Sequence, residues 1–381
     1  MPNRLETGPE TGIPQPIAGQ LSGNRRTADD EAFELREIAK AAFGIESALR
    51  ARMACQLRWY LPNVIYEATT RTIQERFLLR PSAESRALIL GVIGRAMQLY
   101  TTVQVYAFVF LSNHYHMMVS AADPEELALF FGFVNGNISR EMGRIHGWRG
   151  SLWGRRVRPT PILDPEAAVA RLRYVLSNGV KEGLVASPCE WPGATAVQGL
   201  LGDMRLEGVW VDRDSLRRAR LKDPEVTDDA FSSTVEVKLS PLPQWEGLDA
   251  NELRQKYEGL VRDVEAEGER LGLAFLGARR VMSEDPHASP EQPARRRAPL
   301  CHTTSVALRR AFKEAYRTFV AAYRDAVARV RTRAATYDVH YPEGSFPRPR
   351  MFRRVTTPLV EPLAAALDRI PPPGLSWATP F

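Results

Sequence analysis

Two histidines stand one residue apart in the run Asn113-His114-Tyr115-His116, between Val103–Ser112 and Met117–Ala121, two apolar runs that read as the arms of a β-hairpin. In a strand, alternate side chains share a face, so His114 and His116 project together and Tyr115 points the other way. Two imidazoles so placed can hold one divalent metal. Tyr174 and Asn178 lie four apart in a strongly helical stretch, which stacks a possible nucleophile above a possible third ligand on one helix face. Together these four residues point to metal-assisted cutting of a phosphodiester.

Each half of the set also has a plainer reading. One His-x-His at a hairpin is equally two partly exposed histidines. On the helix, Val169, Leu172, Leu176 and Val180 form an apolar stripe and Arg171, Tyr174, Asn178 and Lys181 fall opposite it, where a tyrosine ring could simply rest on neighbouring stems. A two-histidine phosphoesterase would need a second His-x-Thr or His-x-Ser, and His302-Thr303-Thr304 lacks that spacing. Zinc hydrolysis would need a third histidine or a carboxylate, and His146, His287, His302 and His340 read as loop or helix-end residues. No Gly-Lys dipeptide is present, which excludes a P-loop.

The elements that must position these residues follow from pattern and capping signals. A first strand is expected over Trp59–Ile73, a helix from Ser82 to Tyr100, the hairpin over Thr101–Ala121, and a helix from Asp123-Pro124 to Ile145. A strand over Ser151–Ile162 and a helix from Asp164-Pro165 complete the order β-α-β-β-α-β-α. That order predicts an α+β, ferredoxin-like split β-α-β sandwich, one antiparallel sheet backed by helices, with a mostly helical C-terminal extension.

The 381 residues, 44% of them hydrophobic, suffice for such a domain and a second region. We divide the chain into a disordered segment (1–26), a helical lead-in (27–57), the catalytic domain (58–199), a mostly helical region that could recognise DNA (200–333) and a Pro-rich tail (334–381). Within the fourth part, Leu248–Gly272 and Leu276–Met282 could form a degenerate helix-turn-helix, 283–299 is a Pro-rich linker, and Thr304–Arg331 is a long helix. No apolar run approaches the roughly 20 residues of a membrane span, and the N-terminus has no signal-peptide core. A cytoplasmic protein is expected. Cys55, Cys189 and Cys301 stand too far apart for a metal knuckle and read as incidental thiols. The net charge of +6, carried mostly by arginine, permits a nucleic-acid partner, although a genome rich in arginine codons would give the same balance.

Three motifs in order carry a resemblance: Ala107-Phe-Val-Phe-Leu-Ser-Asn-His-Tyr-His-Met-Met-Val119, Ser151-Leu-Trp-Gly-Arg155, and Tyr174-Val-Leu-Ser-Asn-Gly-Val-Lys-Glu-Gly-Leu-Val185. Together they resemble the IS200/IS605-type tyrosine transposases, and within them the REP-associated branch, over about Arg58 to Gly199. The chain departs from the family pattern at Gly179, where proline is usual, and at Tyr115, where a smaller apolar residue is usual. The resemblance implies that His114, His116 and Asn178 hold Mg²⁺ or Mn²⁺ and that Tyr174 attacks a DNA phosphate. It also implies a partner, single-stranded DNA with imperfect hairpins, bound by a monomer or homodimer. Arg140, Arg144, Arg155, Arg156, Arg158 and Lys181 are the expected phosphate contacts, and Trp148 and Trp153 could stack on bases or belong to the core. A catalytically inactive or domesticated nucleic-acid-binding protein that keeps the fold is the alternative.

Overall fold

The computed structural model describes residues 56–290, 299–331 and 339–346. The expected N-terminal disorder and lead-in, Cys55, the middle of the 283–299 linker and most of the tail lie outside the described residues.

Four strands form one sheet in the order β2-β3-β1-β4, with every neighbouring pair antiparallel: β1 (Ile65–Arg71), β2 (Val103–Phe110), β3 (His114–Ala121) and β4 (Arg158–Ile162). This is the strand order of the split β-α-β sandwich that the element pattern predicts. Three helices serve it: α1 (Ala83–Leu99), α2 (Pro124–Ile145) and α3 (Pro165–Lys181). Their starts obey local chemistry. Ser82 and Ser85 form a reciprocal capping box at α1, with Ser82 Oγ accepting from the Ser85 amide at 3.0 Å. Asp123 and Asp164 cap α2 and α3, each followed by a proline whose missing N–H costs nothing in the first turn.

The sheet is covered on both faces, which is why β3 is buried along its whole length and the β2–β3 stretch reads as almost continuously apolar. On one face Tyr115 stacks on Phe110 at 4.7 Å between centroids, meets Trp153 edge-on and donates to Asn135 of α2 at 3.1 Å. The other face carries the histidines and lies under α3.

Two expected strands are shorter than read. β1 begins at Ile65 rather than Trp59, because the chain turns at Pro62-Asn63, with Asn63 at φ 58°. Ser151–Ile162 is a strand only from Arg158. Before it, the Gly154 amide donates to the Arg71 carbonyl at 2.9 Å, a Cβ on Gly154 would stand 3.0 Å from the Thr72 oxygen, and an isolated bridge pairs Trp153 with Thr72.

After α3 the chain continues through α4 (Val197–Leu201), β5 (Arg205–Val211), α5 (Arg213–Arg220), β6 (Ser232–Lys238), α6 (Ala250–Arg270), α7 (Ala278–Ser283) and α8 (Val306–Arg331). The β5–β6 hairpin lies on α1, where Gly91 and Gly208 meet so closely that a Cβ on Gly91 would stand 1.9 Å from the Val209 carbonyl oxygen. α6 backs α3 through Arg173 and Glu267, and α7 has only six residues, too few for the recognition helix of a helix-turn-helix. α8 anchors its apolar stripe on Trp59, which stacks on Phe319 at 5.0 Å and lies 5.6 Å from Phe312. Part of the expected tail also packs: Tyr341 is buried against Tyr323, and the Gly344 carbonyl accepts from the Tyr60 amide. Cys301 is buried and Cys189 exposed, both as free thiols.

Candidate active site

The register places Thr69 opposite His116 and Arg71 opposite His114, so Glu67, Thr69, Arg71 and both histidines share the face under α3. The two imidazoles lie 5.3 Å apart, centroid to centroid, and edge to face. Each has its Nδ1 occupied, His114 at 2.6 Å from Asn113 Oδ1 and His116 at 2.7 Å from Glu67 Oε1. An amide oxygen and an ionised carboxylate only accept, so both Nδ1 atoms donate, and in a neutral ring Nε2 is left as the lone-pair nitrogen. Neither Nε2 has a hydrogen-bond partner among the described residues. Burial, with the nearby His116, Arg71 and Lys181, holds the His114 pKa well below the usual histidine range, so this ring is neutral.

α3 supplies the other half. The Tyr174 ring meets His116 edge to face at 5.4 Å. Its hydroxyl accepts from Lys181 Nζ at 3.1 Å, and Lys181 Nζ and the Arg171 guanidinium stand 4.3 and 3.8 Å from the ring centroid. Asn178 is fully buried, and on the same side of α3 Arg171 and Tyr174 meet Glu67 and His116 of the sheet. Asn178 Nδ2 donates back to the carbonyls of Tyr174 at 2.7 Å and Val175 at 3.2 Å, while Asn178 Oδ1 is buried with no partner. An amide oxygen in that condition costs free energy unless something the fold lacks comes to it. Two imidazoles whose Nδ1 atoms are engaged and an unpaired amide oxygen are the donor types that a divalent cation such as Mg²⁺ or Mn²⁺ accepts beside water and phosphate oxygens. Among the described residues no group of three His, Cys, Asp or Glu could hold a metal.

Sequence reasoning missed three residues of this site. Glu67, on β1, is buried beneath His116. Arg171 approaches it as a fork, Nη2 to Oε1 at 2.8 Å and Nε to Oε2 at 2.6 Å, and His302 Nε2 reaches Oε2 at 3.0 Å. The two contacts at Oε2 are ion-pair approaches rather than aligned hydrogen bonds. Burial alone would raise the Glu67 pKa, but His116, His302 and Arg171 outweigh it and hold the carboxyl far below the usual range. His302 arrives from a segment that bonds along β4, its amide to the Pro161 carbonyl and its carbonyl to the Leu163 amide. The position of Glu67 two strand steps from Thr69 was the only available signal, and it requires knowing the β1–β3 register.

The expected phosphate contacts separate. Arg155 and Arg156 are exposed, with no side-chain partner among the described residues. Both follow Gly154 in the segment before β4 rather than lying on a strand, and Arg156 lies by Arg58 and Tyr60. Arg158 opens β4 and donates to the Pro299 carbonyl at 3.1 Å. Arg140 is held by Asn137, Arg144 by Glu84 at 2.6 Å and Glu141 at 3.3 Å, and Lys181 by Tyr174 and Glu182. Trp153 and Trp148 are both half-buried, Trp153 donating to the Asn135 carbonyl at 2.9 Å and Trp148 lying under Arg76. No helix among the described residues is long and apolar enough to cross a membrane.

No family model matches the sequence, and no curated protein matches it. Among solved structures, the chain is similar to a REP-associated tyrosine transposase bound to a REP hairpin, at 18% identity and a TM-score of 0.32, over 39% of this chain and 86% of that one. It is also similar to a candidate transposase from Deinococcus radiodurans R1, at 14% identity and a TM-score of 0.24, over 30% of this chain and 91% of that one.

Proposed function

We propose that this chain is a metal-dependent single-stranded DNA endonuclease and strand transferase that acts at hairpins through Tyr174. The observation that carries this reading is the buried, unpartnered Asn178 Oδ1, one helical turn from a tyrosine whose ring lies against His116. His114, His116 and Asn178 would hold Mg²⁺ or Mn²⁺. When bound, the cation neutralises charge on the scissile phosphate and eases departure of the leaving oxygen.

The chain's own residues do the rest. The Tyr174 oxygen forms a bond to phosphorus as the bond from phosphorus to the 3′-oxygen breaks; the phenolic proton leaves and the 3′-oxygen gains one. The products are a 5′-phosphotyrosyl link and a free 3′-hydroxyl. Lys181, donating to the phenolic oxygen, stabilises the negative charge that builds there, and Arg171 fixes the ring from its other partners on Glu67. One phosphodiester is exchanged for another, so a second 3′-hydroxyl can reverse the step without an energy source. Tyr115 is unsuited to the role, because it is fully buried on the opposite face and burial raises its pKa.

The test is to compare cleavage and binding of labelled single-stranded hairpins by wild type, His114→Ala and His116→Ala in Mn²⁺. Cleavage should fall by 10²-fold or more while hairpin affinity, which arginine–phosphate contacts supply, changes by less than about threefold. Equal loss of both would assign the histidines to structure and favour a binding protein without cleavage.

A further inference from the structure

We infer that Glu67 is a positioning residue that serves both halves of this site at once, and that His302, from beyond the domain carrying the motifs, locks it in place. The inference rests on the functional reading above. One buried carboxylate has four neighbours: Oε1 takes His116 Nδ1 at 2.7 Å and Arg171 Nη2 at 2.8 Å, and Oε2 takes Arg171 Nε at 2.6 Å and His302 Nε2 at 3.0 Å. With its side chain 5% exposed, Glu67 has given up water for these partners.

The first consequence concerns the metal half. A carboxylate on Nδ1 fixes the ring's rotation and tautomer, which aims the Nε2 lone pair away from Glu67. The second concerns the nucleophile half. Arg171 stands 3.8 Å over the Tyr174 ring because its guanidinium is forked onto Glu67, so the same carboxylate sets where the phenol lies. Thus β1 ties β3 to α3 at the point where a ligand and a nucleophile must keep a fixed separation.

His302 is held there by its own chain. Its backbone continues the ladder beyond β4, Thr303 Oγ1 and the Thr304 amide both donate to Asp164 Oδ2, and Asp164 Oδ1 caps α3. One short segment, 302–304, therefore contacts both Glu67 and the first turn of the helix carrying Tyr174 and Asn178.

The experiment measures Mn²⁺ affinity by electron paramagnetic resonance without DNA, hairpin affinity without metal, and the rate of covalent adduct formation at saturating Mn²⁺. The proteins are wild type, Glu67→Gln, Arg171→Gln and His302→Asn, each checked by thermal unfolding. Glu67→Gln is expected to lose 10- to 100-fold in both Mn²⁺ affinity and adduct rate, with hairpin affinity within threefold of wild type. Arg171→Gln should lose 10- to 100-fold in adduct rate but no more than about tenfold in Mn²⁺ affinity, as for His302→Asn, a split that a purely structural role would not produce. His302→Asn should weaken Mn²⁺ binding by about tenfold, the lower end of that range. A folded Glu67→Gln that keeps both values within threefold overturns the inference, and so does parallel loss in Arg171→Gln. If Glu67→Gln does not fold, unchanged Mn²⁺ affinity in His302→Asn overturns it instead. Wild type that binds Mn²⁺ yet forms no adduct on any hairpin refutes the catalytic reading alone, leaving the Mn²⁺ measurements to decide the part of the inference concerning His116.

Discussion

Replacing Asn178 by leucine should make the metal-free protein more stable and, on the proposed function, abolish hairpin cleavage. The side chains have the same branching at Cγ, so leucine can enter the site without a new backbone path. What it removes is an amide oxygen that is buried without a partner, a condition costing about 1–3 kcal/mol. Against that stand the two bonds from Nδ2, at 2.7 and 3.2 Å. Their acceptors are helix carbonyls already available to the backbone ladder, so their loss costs about 0.5–1.5 kcal/mol together. The larger leucine methyl groups add strain of up to about 1 kcal/mol, partly offset by apolar burial. The balance is a gain of about 1 kcal/mol, or roughly 0.3 M in the midpoint of urea unfolding measured in EDTA. With Mn²⁺ added, wild type should gain stability by mass action while Asn178→Leu does not, so their order reverses or closes. A metal-free Asn178→Leu destabilised by more than about 1 kcal/mol would show that the amide is a structural residue, and a wild type indifferent to Mn²⁺ would remove the reason for its burial.

Neutralising Arg155 and Arg156 together should weaken binding to every single strand and reduce the log–log salt slope by roughly 1.4, at about 0.7 per lost phosphate contact; adding Arg158→Gln should change the slope little, because that side chain already serves the Pro299 carbonyl. Asp164 is held below its ordinary pKa, since hydrogen bonds from Thr303, Ala167 and Thr304 outweigh the rise that burial alone would cause. Its folded-state value is the lower one, so its contribution is present above the unfolded carboxylate range, near about 4, and is lost as pH falls through the folded value. Asp164→Asn keeps a capping oxygen and should abolish that part of the acid sensitivity, measurable as a flatter unfolding midpoint as pH falls below about 4. Gly91→Ala should destabilise by about 1–3 kcal/mol in thermal or urea unfolding, because its Cβ would stand 1.9 Å from the Val209 oxygen and α1 must lift from β5.

Local signals carried the fold of residues 58–199 well. Asp123-Pro124 and Asp164-Pro165 start helices where capping chemistry puts them, and strand alternation sends Tyr115 to the face opposite His114 and His116, as the structure shows. The errors came where long-range contacts override local pattern. The pattern of α3 leaves open whether the Tyr174 ring rests on neighbouring stems or enters a site, and contacts across the sheet decide where it lies: Arg171 meets Glu67, Tyr174 meets His116, and Asn178 is buried. Glu67 and His302 were invisible for the same reason: one is an isolated acid in a β-branched run, the other a histidine in a loop far along the chain, and only the β1–β3 register and the ladder beyond β4 bring them together. The basic run Arg155-Arg156-Val157-Arg158 reads as a strand, but the close approach of Gly154 to Thr72 breaks it and divides its arginines between free and occupied.

The most direct test of the central claim is to trap the protein on a hairpin-bearing single strand in Mn²⁺, trim the DNA with nuclease and locate the remaining nucleotide by mass spectrometry. The expected result is a 5′-phosphoryl nucleotide on the peptide containing Tyr174, a released fragment ending in a 3′-hydroxyl, and no such adduct in Tyr174→Phe while Tyr115→Phe still forms it. A nucleotide mapped to Tyr115, or an adduct that survives in Tyr174→Phe, would contradict it, as would a protein that binds the hairpins tightly in Mn²⁺ and never becomes joined to them.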